Sequence, residues 1–222
     1  MPVVLKGEAT DWACTEKWTW EYLLRVAGDE SVPFRGQFGI GERQRASLRD
    51  VIASVLQNGE MYGCDWKCRE AVPEMNAEAR ISLLASEDRF AAVPPEYRPA
   101  FYWMFLGGDG TRTLMHQDFL ATHSWVAVLR GRKRFGLYPA DAFDSQAGEH
   151  NRIDPDHARQ ERYEGIVEAG DVVFIPSLWW HDAMNLVPTL SVTHNFCSYE
   201  ILELVTTRVL RARPHRHLAL WL

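Results

Sequence analysis

Two histidines and one carboxylate are the residues of this sequence whose types and spacing suggest chemistry. His116 and Asp118 are two residues apart in Thr-Leu-Met-His-Gln-Asp, and His181 comes much later, in Leu-Trp-Trp-His-Asp. On a β-strand, side chains two residues apart point to the same face, with their Cα atoms roughly 6 to 7 Å apart, so one metal ion could hold both. A histidine from a distant strand would complete a two-histidine, one-carboxylate set, which leaves positions open on non-haem Fe(II).

The His-x-Asp pair has little weight by itself, because chance places about half of one such pair in a chain of this composition. Its surroundings add weight. A Gly-Gly-Asp-Gly turn at 107–110 precedes the first pair, and a turn with an apolar strand at 170–176 precedes His181. Lys133 and Thr193 lie on neighbouring segments, where an ammonium beside a hydroxyl could bind a carboxylate.

Short apolar segments separated by glycine and proline fill the second half of the chain and predict strands. Eight such strands are typical of a double-sheet jelly roll of the cupin type. A polar loop is predicted at 141–160, either as a lid or as a variable surface excursion. The predicted strands are 101–106, 113–118, 124–130, 133–138, 163–167, 171–175, 182–187 and 189–196.

The first half and the last segment predict supporting elements around this core. Strands are expected at 2–5, 32–35, 37–40 and 60–66, and helices at 19–28, 47–59, 76–84 and 199–211, where apolar residues recur at helical spacing. The last helix could dock on its own domain or form a homodimer with a second copy. His215 and His217 are expected in a solvated tail.

The length and composition predict one mainly β (α+β) domain over 1–222, with supporting elements at 1–100, a catalytic core at 101–197 and a terminal helix and tail at 198–222. A net charge of −6 argues against nucleic acid as a partner and would suit a basic peptide better. Four cysteines without a signal sequence predict free thiols and a cytoplasmic location, and no apolar run is long enough to span a membrane. Cys64 and Cys68 lack a second pair for a structural zinc site.

Several motifs in a fixed order resemble JmjC-domain, or cupin-like, 2-oxoglutarate oxygenases, and in particular their small hydroxylase branch. The resemblance covers nearly the whole chain, including the opening Pro-Val-Val-Leu-Lys-Gly, and is densest between 101 and 196. The motifs are Thr113 to Asp118, Gly131-Arg-Lys133-Arg134 with its lysine seventeen residues after His116, Gly170 to Pro176 followed by Trp179-Trp180-His181, and Thr193-His-Asn195-Phe196.

The resemblance implies a double-stranded β-helix core with flanking helices and an enzyme that uses Fe(II), 2-oxoglutarate and O2. It implies that His116, Asp118 and His181 bind the iron and that Lys133 and Thr193 bind the distal carboxylate of 2-oxoglutarate. Further positions that match the co-substrate pocket are Thr113, Asn195 and Tyr62.

Val126 departs from the family, since related hydroxylases often have asparagine on that strand. We expect a hydroxylase rather than a demethylase, because 222 residues leave no room for reader or zinc modules. The substrate would be a protein or peptide side chain, or a small amino-acid-like molecule.

Two alternatives remain. One is a catalytically silent binding module of the same fold, and the other is a metal-dependent cupin enzyme that does not use 2-oxoglutarate. The second would require an additional ligand such as His123 or His194. Strand alternation predicts that His194 faces away from Thr193 and Asn195. Trp179 and Trp180 are expected in the core and at the rim.

Overall fold

The computed structural model describes residues 1–39, 42–143, 158 and 160–222, and within that part of the chain twelve strands form two antiparallel sheets. This confirms the predicted jelly-roll core. The strands are β1 (Val3–Leu5), β2 (Ser31–Arg35), β3 (Gln44–Ser47), β4 (Tyr62–Trp66), β5 (Tyr102–Gly107), β6 (Arg112–His116), β7 (His123–Arg130), β8 (Arg132–Tyr138), β9 (Tyr163–Glu168), β10 (Val172–Ile175), β11 (Trp180–Asn185) and β12 (Thr189–Phe196).

The larger sheet has the strand order β1-β10-β7-β12-β5-β4-β2-β3 and the smaller sheet has the order β6-β11-β8-β9. All eight strands predicted in the second half of the chain are present. Two of them are displaced: β6 ends at His116 rather than at Asp118, and β11 starts at Trp180, so that His181 lies inside it.

Six α-helices surround the sheets within the described residues: α1 (Ala13–Lys17), α2 (Trp20–Ala27), α3 (Leu48–Leu56), α4 (Cys68–Ala71), α5 (Pro73–Glu78) and α6 (Leu202–Arg211). Side chains cap the two longer N-terminal helices. Thr19 Oγ1 accepts from the Tyr22 amide at 3.1 Å and Ser47 Oγ accepts from the Asp50 amide at 3.1 Å. Each cap satisfies an amide that the helix itself leaves unpaired.

The strand predicted at 37–40 was wrong for its described residues. Gly39 donates to the Gly36 carbonyl at 2.8 Å and has a φ of +63°, so the chain turns there, and the partner of β2 is instead β3. Ile40 lies outside the described residues, as does most of the predicted loop at 141–160.

The helix predicted at 76–84 was also wrong in its bounds. Pro73 begins α5 earlier, where the missing proline N–H costs nothing. Ala79 is extended, with a ψ of 139°, and ends the helix. A separate 3-10 turn follows at Leu83–Ala85.

The C-terminal segment packs on the domain, which corrects the prediction of a solvated tail for His215, whereas His217 is exposed as predicted. After α6 the chain forms a 3-10 helix at Arg213–Leu220, and Leu218 is fully buried. The His215 ring lies 5.0 Å from the Phe119 ring. The segment thus covers the short turn that follows Asp118.

The largest apolar cluster lies between the eight-stranded sheet and the N-terminal helices, with Trp18 and Trp125 fully buried. The four cysteines are free and buried, and burial raises the pKa of Cys64, Cys68 and Cys197 to about 12. None of the described helices is both long and apolar enough to cross a bilayer.

Candidate functional site

The two histidines of the predicted metal site meet across adjacent strands. His116, the last residue of β6, is the direct cross-strand partner of His181 on β11, and their ring centroids are 4.2 Å apart. The pairing register shifts just after His181, which marks a β-bulge. Bulges redirect side chains next to functional sites.

Asp118 reaches the same point from outside the strand. It is extended, with a φ of −68° and a ψ of 148°, and it precedes a 3-10 turn at Phe119–Ala121 in which Leu120 and Ala121 have φ values of +56°. The same-face argument for a strand over 113–118 was therefore wrong, although the two residues do converge. One ligand atom from each of His116, Asp118 and His181 lies within 4.8 Å of the others.

Both imidazoles are held through Nδ1 by the backbone. His116 Nδ1 is 2.8 Å from the Leu114 carbonyl and His181 Nδ1 is 3.2 Å from the Trp179 carbonyl. A proton on Nδ1 leaves Nε2 as the free lone pair. Burial, and then the neighbouring His116, lowers the pKa of His181, so its imidazole is neutral and suited to bind a metal.

The carboxylate of Asp118 is oriented by Ser124, whose hydroxyl donates to Oδ2 at 2.5 Å. Such a partner fixes a ligand's orientation before the metal arrives. Ser124 was not predicted as a site residue, and its sequence surroundings carry no signal for it, because the contact depends on the turn at Phe119–Ala121.

These residues line one wall of a cavity of about 660 Å³ between the two sheets. Lys133 lies in the same cavity and is buried, with 3% of its surface exposed. Its Nζ lies 5.4 Å from the centre of the Phe105 ring and 5.8 Å from that of Tyr62. Desolvation by burial lowers the pKa of Lys133 to about 7, and no described carboxylate forms an ion pair with it.

The other predicted pocket residues also line this cavity. The hydroxyls of Tyr62 and Thr113 are 2.9 Å apart and hydrogen-bond to each other. Thr193 Oγ1 donates to the Trp125 carbonyl at 2.8 Å, and Asn195 Nδ2 donates to Thr122 Oγ1 at 2.8 Å. Their roles toward a co-substrate remain predictions.

Val126 is the cross-strand partner of Thr193 and lines the cavity with an apolar surface. The two histidines considered as extra ligands lie elsewhere. His123 accepts from the Ser177 amide at 2.8 Å through Nδ1, and its Nε2 is 3.2 Å from Ser198 Oγ. His194 packs on the opposite face of β12, with its ring 5.9 Å from that of Trp125.

The jelly roll and its open two-histidine, one-carboxylate site define a cupin-type protein with a candidate metal centre. Residues 1–199 match the family described as Cupin-like domain. The chain therefore belongs to the cupin-like domain family, and the resemblance noted in the sequence is confirmed.

The chain is also similar in sequence to named proteins. The chain is 30% identical to "Lysine-specific demethylase JMJ21" of Arabidopsis thaliana, over 90% of this chain and 23% of that protein. It is 28% identical to "Bifunctional arginine demethylase and lysyl-hydroxylase psr-1" of Caenorhabditis briggsae, over 99% of this chain and 63% of the relative. It is 27% identical to "2-oxoglutarate and iron-dependent oxygenase JMJD4" of Gallus gallus, over 88% of this chain and 54% of that protein. The chain thus spans less than two thirds of the length of each of these relatives.

Proposed function

We propose that the chain is an Fe(II)- and 2-oxoglutarate-dependent dioxygenase that hydroxylates a C–H bond of a protein or peptide side chain, or of an amino-acid-like substrate. The observation that carries this proposal is the meeting, in one cavity, of the His116, Asp118 and His181 cluster with the buried Lys133. The relatives named as iron- and 2-oxoglutarate-dependent oxygenases and as a lysyl-hydroxylase support it. The four free, buried cysteines support a cytoplasmic location.

The donor set fits a ferrous ion. Two imidazoles and one carboxylate on one side leave three positions open, which is the arrangement typical of non-haem iron oxygenases. Because both Nδ1 atoms are held by carbonyls, each ring keeps Nε2 free for a metal, and His181 Nε2 lies 3.9 Å from Asp118 Oδ2. Ser124 holds the carboxylate in place, so little reorganisation is needed on metal binding.

Lys133 fits a dicarboxylate. A buried ammonium without an ion-pair partner among the described residues is costly to the fold unless a ligand supplies the negative charge. In the family role, Lys133 would pair with the distal carboxylate of 2-oxoglutarate and hold the 2-oxo acid end toward the metal ligands. Thr193 would support that carboxylate only if its hydroxyl turned from the Trp125 carbonyl, to which it now donates.

Bound iron and 2-oxoglutarate supply the chemistry: O2 oxidises the 2-oxo acid to succinate and CO2 and delivers one oxygen atom to a substrate C–H bond. The chain's own residues orient the reactants. The apolar side chains of Phe105, Phe135 and Val126 line the cavity and limit water near the reacting bond. That exclusion protects a reactive centre from side reactions.

Succinate formation tests the proposal. Purified protein with Fe(II), 2-oxoglutarate and O2 should form succinate, and His116→Ala should abolish it because a metal ligand is lost. His217→Ala removes a histidine outside the cavity and should leave the rate unchanged.

The same assay separates the alternatives. Metal binding without succinate under any substrate screen would indicate the silent module, and turnover that does not require 2-oxoglutarate would indicate the other cupin enzymes. Mass spectrometry of host peptides then identifies products that have gained one oxygen atom.

A further inference from the structure

Besides Lys133, three basic side chains line the cavity: Arg35, which is half-buried, Arg43 and Lys67. Arg35 ends β2 and Arg43 precedes β3, at the same end of that antiparallel pair. Lys67 follows β4, whose first residue, Tyr62, is the cross-strand partner of Arg35, so Lys67 joins the cavity lining from the other end of β4. The Arg43 side chain is 50% exposed and that of Lys67 is 53% exposed, whereas Lys133 is buried. The cavity therefore has a basic mouth that is separate from its basic interior.

Two of these three cations have nearby carboxylates. Arg43 pairs with Asp65 at 2.5 Å, and Asp65 has a φ of +58° at the irregularity in β4. Lys67 lies 3.9 Å from Glu70, at the limit of an ion pair.

Arg35 differs from the other two. It donates from Nη1 to the Gly39 carbonyl at 3.3 Å and also lies within hydrogen-bond reach of the Cys64 thiol, and no described carboxylate forms an ion pair with it. A guanidinium carries five N–H donors arranged to bind a carboxylate with two bonds. Arg35 therefore retains donors for a ligand at the mouth.

The cavity offers little to a basic side chain. The described carboxylates that line it are Asp65, which is paired with Arg43, and Asp118, which belongs to the metal cluster. A lysine or arginine of a substrate would meet three cations and would have to displace Arg43 to find a counter-ion. Like charges brought together at an interface disfavour binding.

We propose that the substrate is an acidic peptide segment, whose Asp or Glu carboxylate binds Arg35 at the mouth while a neighbouring residue reaches the metal cluster. The hydroxylation of this peptide rests on the proposed function, whereas its negative charge is inferred only from the basic side chains at the mouth. It reverses the expectation, drawn from the overall charge of −6, that a basic peptide suits this protein. A basic mouth on an acidic protein concentrates the attraction for an anion at the site.

Fluorescence anisotropy tests this proposal without turnover. Labelled ten-residue peptides of the same length, one rich in Asp and Glu, one rich in Lys and Arg and one neutral, are titrated with the full chain. Zn(II) replaces iron, and 2-oxoglutarate is present at saturation so that Lys133 is occupied. The titrations are repeated without Zn(II) and 2-oxoglutarate. A labelled single-stranded oligonucleotide with a negative charge similar to that of the acidic peptide is included.

We expect the acidic peptide to bind about tenfold more tightly than the basic one, and its affinity to fall as NaCl is raised. Arg35→Gln should reduce the affinity for the acidic peptide about tenfold, and Arg35→Lys should reduce it less. Arg49→Gln is the matched control, because Arg49 is exposed on α3 and lies outside the cavity lining. Thermal unfolding checks that each variant is folded.

Equal or tighter binding of the basic peptide would overturn the proposal, as would tighter binding of the oligonucleotide, no binding of any peptide, or no effect of either NaCl or Arg35→Gln. These outcomes are independent of succinate formation. Failure of the succinate assay leaves the peptide preference measurable, and hydroxylation of a basic peptide would refute this inference alone.

Discussion

Lys133 is a residue that stability alone does not explain. It occupies a buried position in the jelly roll that an apolar side chain could fill, and its charge has no ion-pair partner among the described residues. Proteins tolerate such groups where function requires them, and replacing a buried charge with an apolar residue of similar size commonly stabilises the fold. The cost of burying this charge thus supports the proposed role of Lys133 in binding 2-oxoglutarate, beside the family resemblance.

Lys133→Met should therefore separate binding from stability. We expect at least a tenfold loss of 2-oxoglutarate affinity, metal affinity within a factor of two of the original, and a rise of about 1–2 kcal/mol in the free energy of unfolding. Calorimetric titration and urea unfolding measure these quantities. Arg132→Met, at an exposed position on the same strand, is the control. Equal loss of metal and 2-oxoglutarate binding in Lys133→Met would mean that Lys133 does not hold the carboxylate of 2-oxoglutarate.

The pH dependence follows from the same lysine. Its folded pKa of about 7 lies below the ordinary value of 10.5, so the burial penalty is complete below pH 7. Between those two values the unfolded chain holds a proton that the folded chain lacks, and stability rises with pH. The stability advantage of Lys133→Met over the original protein should accordingly shrink between pH 7 and pH 10. A constant advantage across that range, measured by urea unfolding without 2-oxoglutarate, would refute the assignment.

Ser124 acts through Asp118 rather than on a substrate. Ser124→Ala removes the hydrogen bond to Asp118 Oδ2 and should weaken metal binding about tenfold. Binding of 2-oxoglutarate to Lys133 does not need this hydrogen bond. Equilibrium dialysis with Fe(II) under anaerobic conditions measures the effect. Ser191→Ala is the control, because its buried hydroxyl has no described hydrogen-bond partner; a similar loss in both variants would show a general effect on the fold.

At the scale of elements, Gly107 shows how tightly the strands around the cavity are packed. A Cβ at this position, the end of β5, would overlap Thr111 Oγ1 and Asn185 Nδ2, which are hydrogen-bonded to each other at 2.8 Å, and would come within 2.9 Å of the Tyr62 ring. Only glycine fits without displacing these groups.

Gly107→Ala should lower the free energy of unfolding by about 1–3 kcal/mol, as overpacking does in other cores. Gly165→Ala on β9 is the matched control, since its Cβ would meet nothing within 4 Å, and its effect should stay within about 0.5 kcal/mol. Urea unfolding compares the two variants. An equal effect of both substitutions would contradict the packing described for the end of β5.

The strands of the second half were predictable because each is a short apolar run between turn residues. The first half was harder. The segment at 37–40 has strand-like composition, yet Gly36 and Gly39 close a turn, and α5 begins at Pro73 rather than at Asn76. The site itself depended on a contact that no local pattern shows: Asp118 joins the histidines from a turn, not from the strand that the spacing suggested.

In the molecule as a whole, the C-terminal segment packs against the turn that follows Asp118. Val205 and Val209 of α6 and Leu218 are fully buried in one apolar cluster with Leu120, which lies two residues after Asp118. The apolar stripe of the last helix predicted either docking or pairing with a second copy, and docking on its own domain uses most of that stripe. A homodimer remains a prediction.

The order of the motifs along the chain made the candidate site predictable as a set, because the jelly roll brings β6, β8, β11 and β12 together around one cavity. The basic mouth was not predictable in this way. Arg35, Arg43 and Lys67 lie in separate segments of the first half, and the net charge of −6 gives the opposite impression. Only the folded chain brings these cations to one place.

We propose that this chain couples the oxidation of 2-oxoglutarate to O2 at the His116, Asp118 and His181 cluster. This coupling is measured by incubation with Fe(II), 2-oxoglutarate and O2 enriched in oxygen-18, followed by mass spectrometry of the succinate. We expect succinate that carries one heavy oxygen atom with the original protein and no labelled succinate above background with His181→Ala. Succinate without the label, or labelled succinate that persists in His181→Ala, would contradict it.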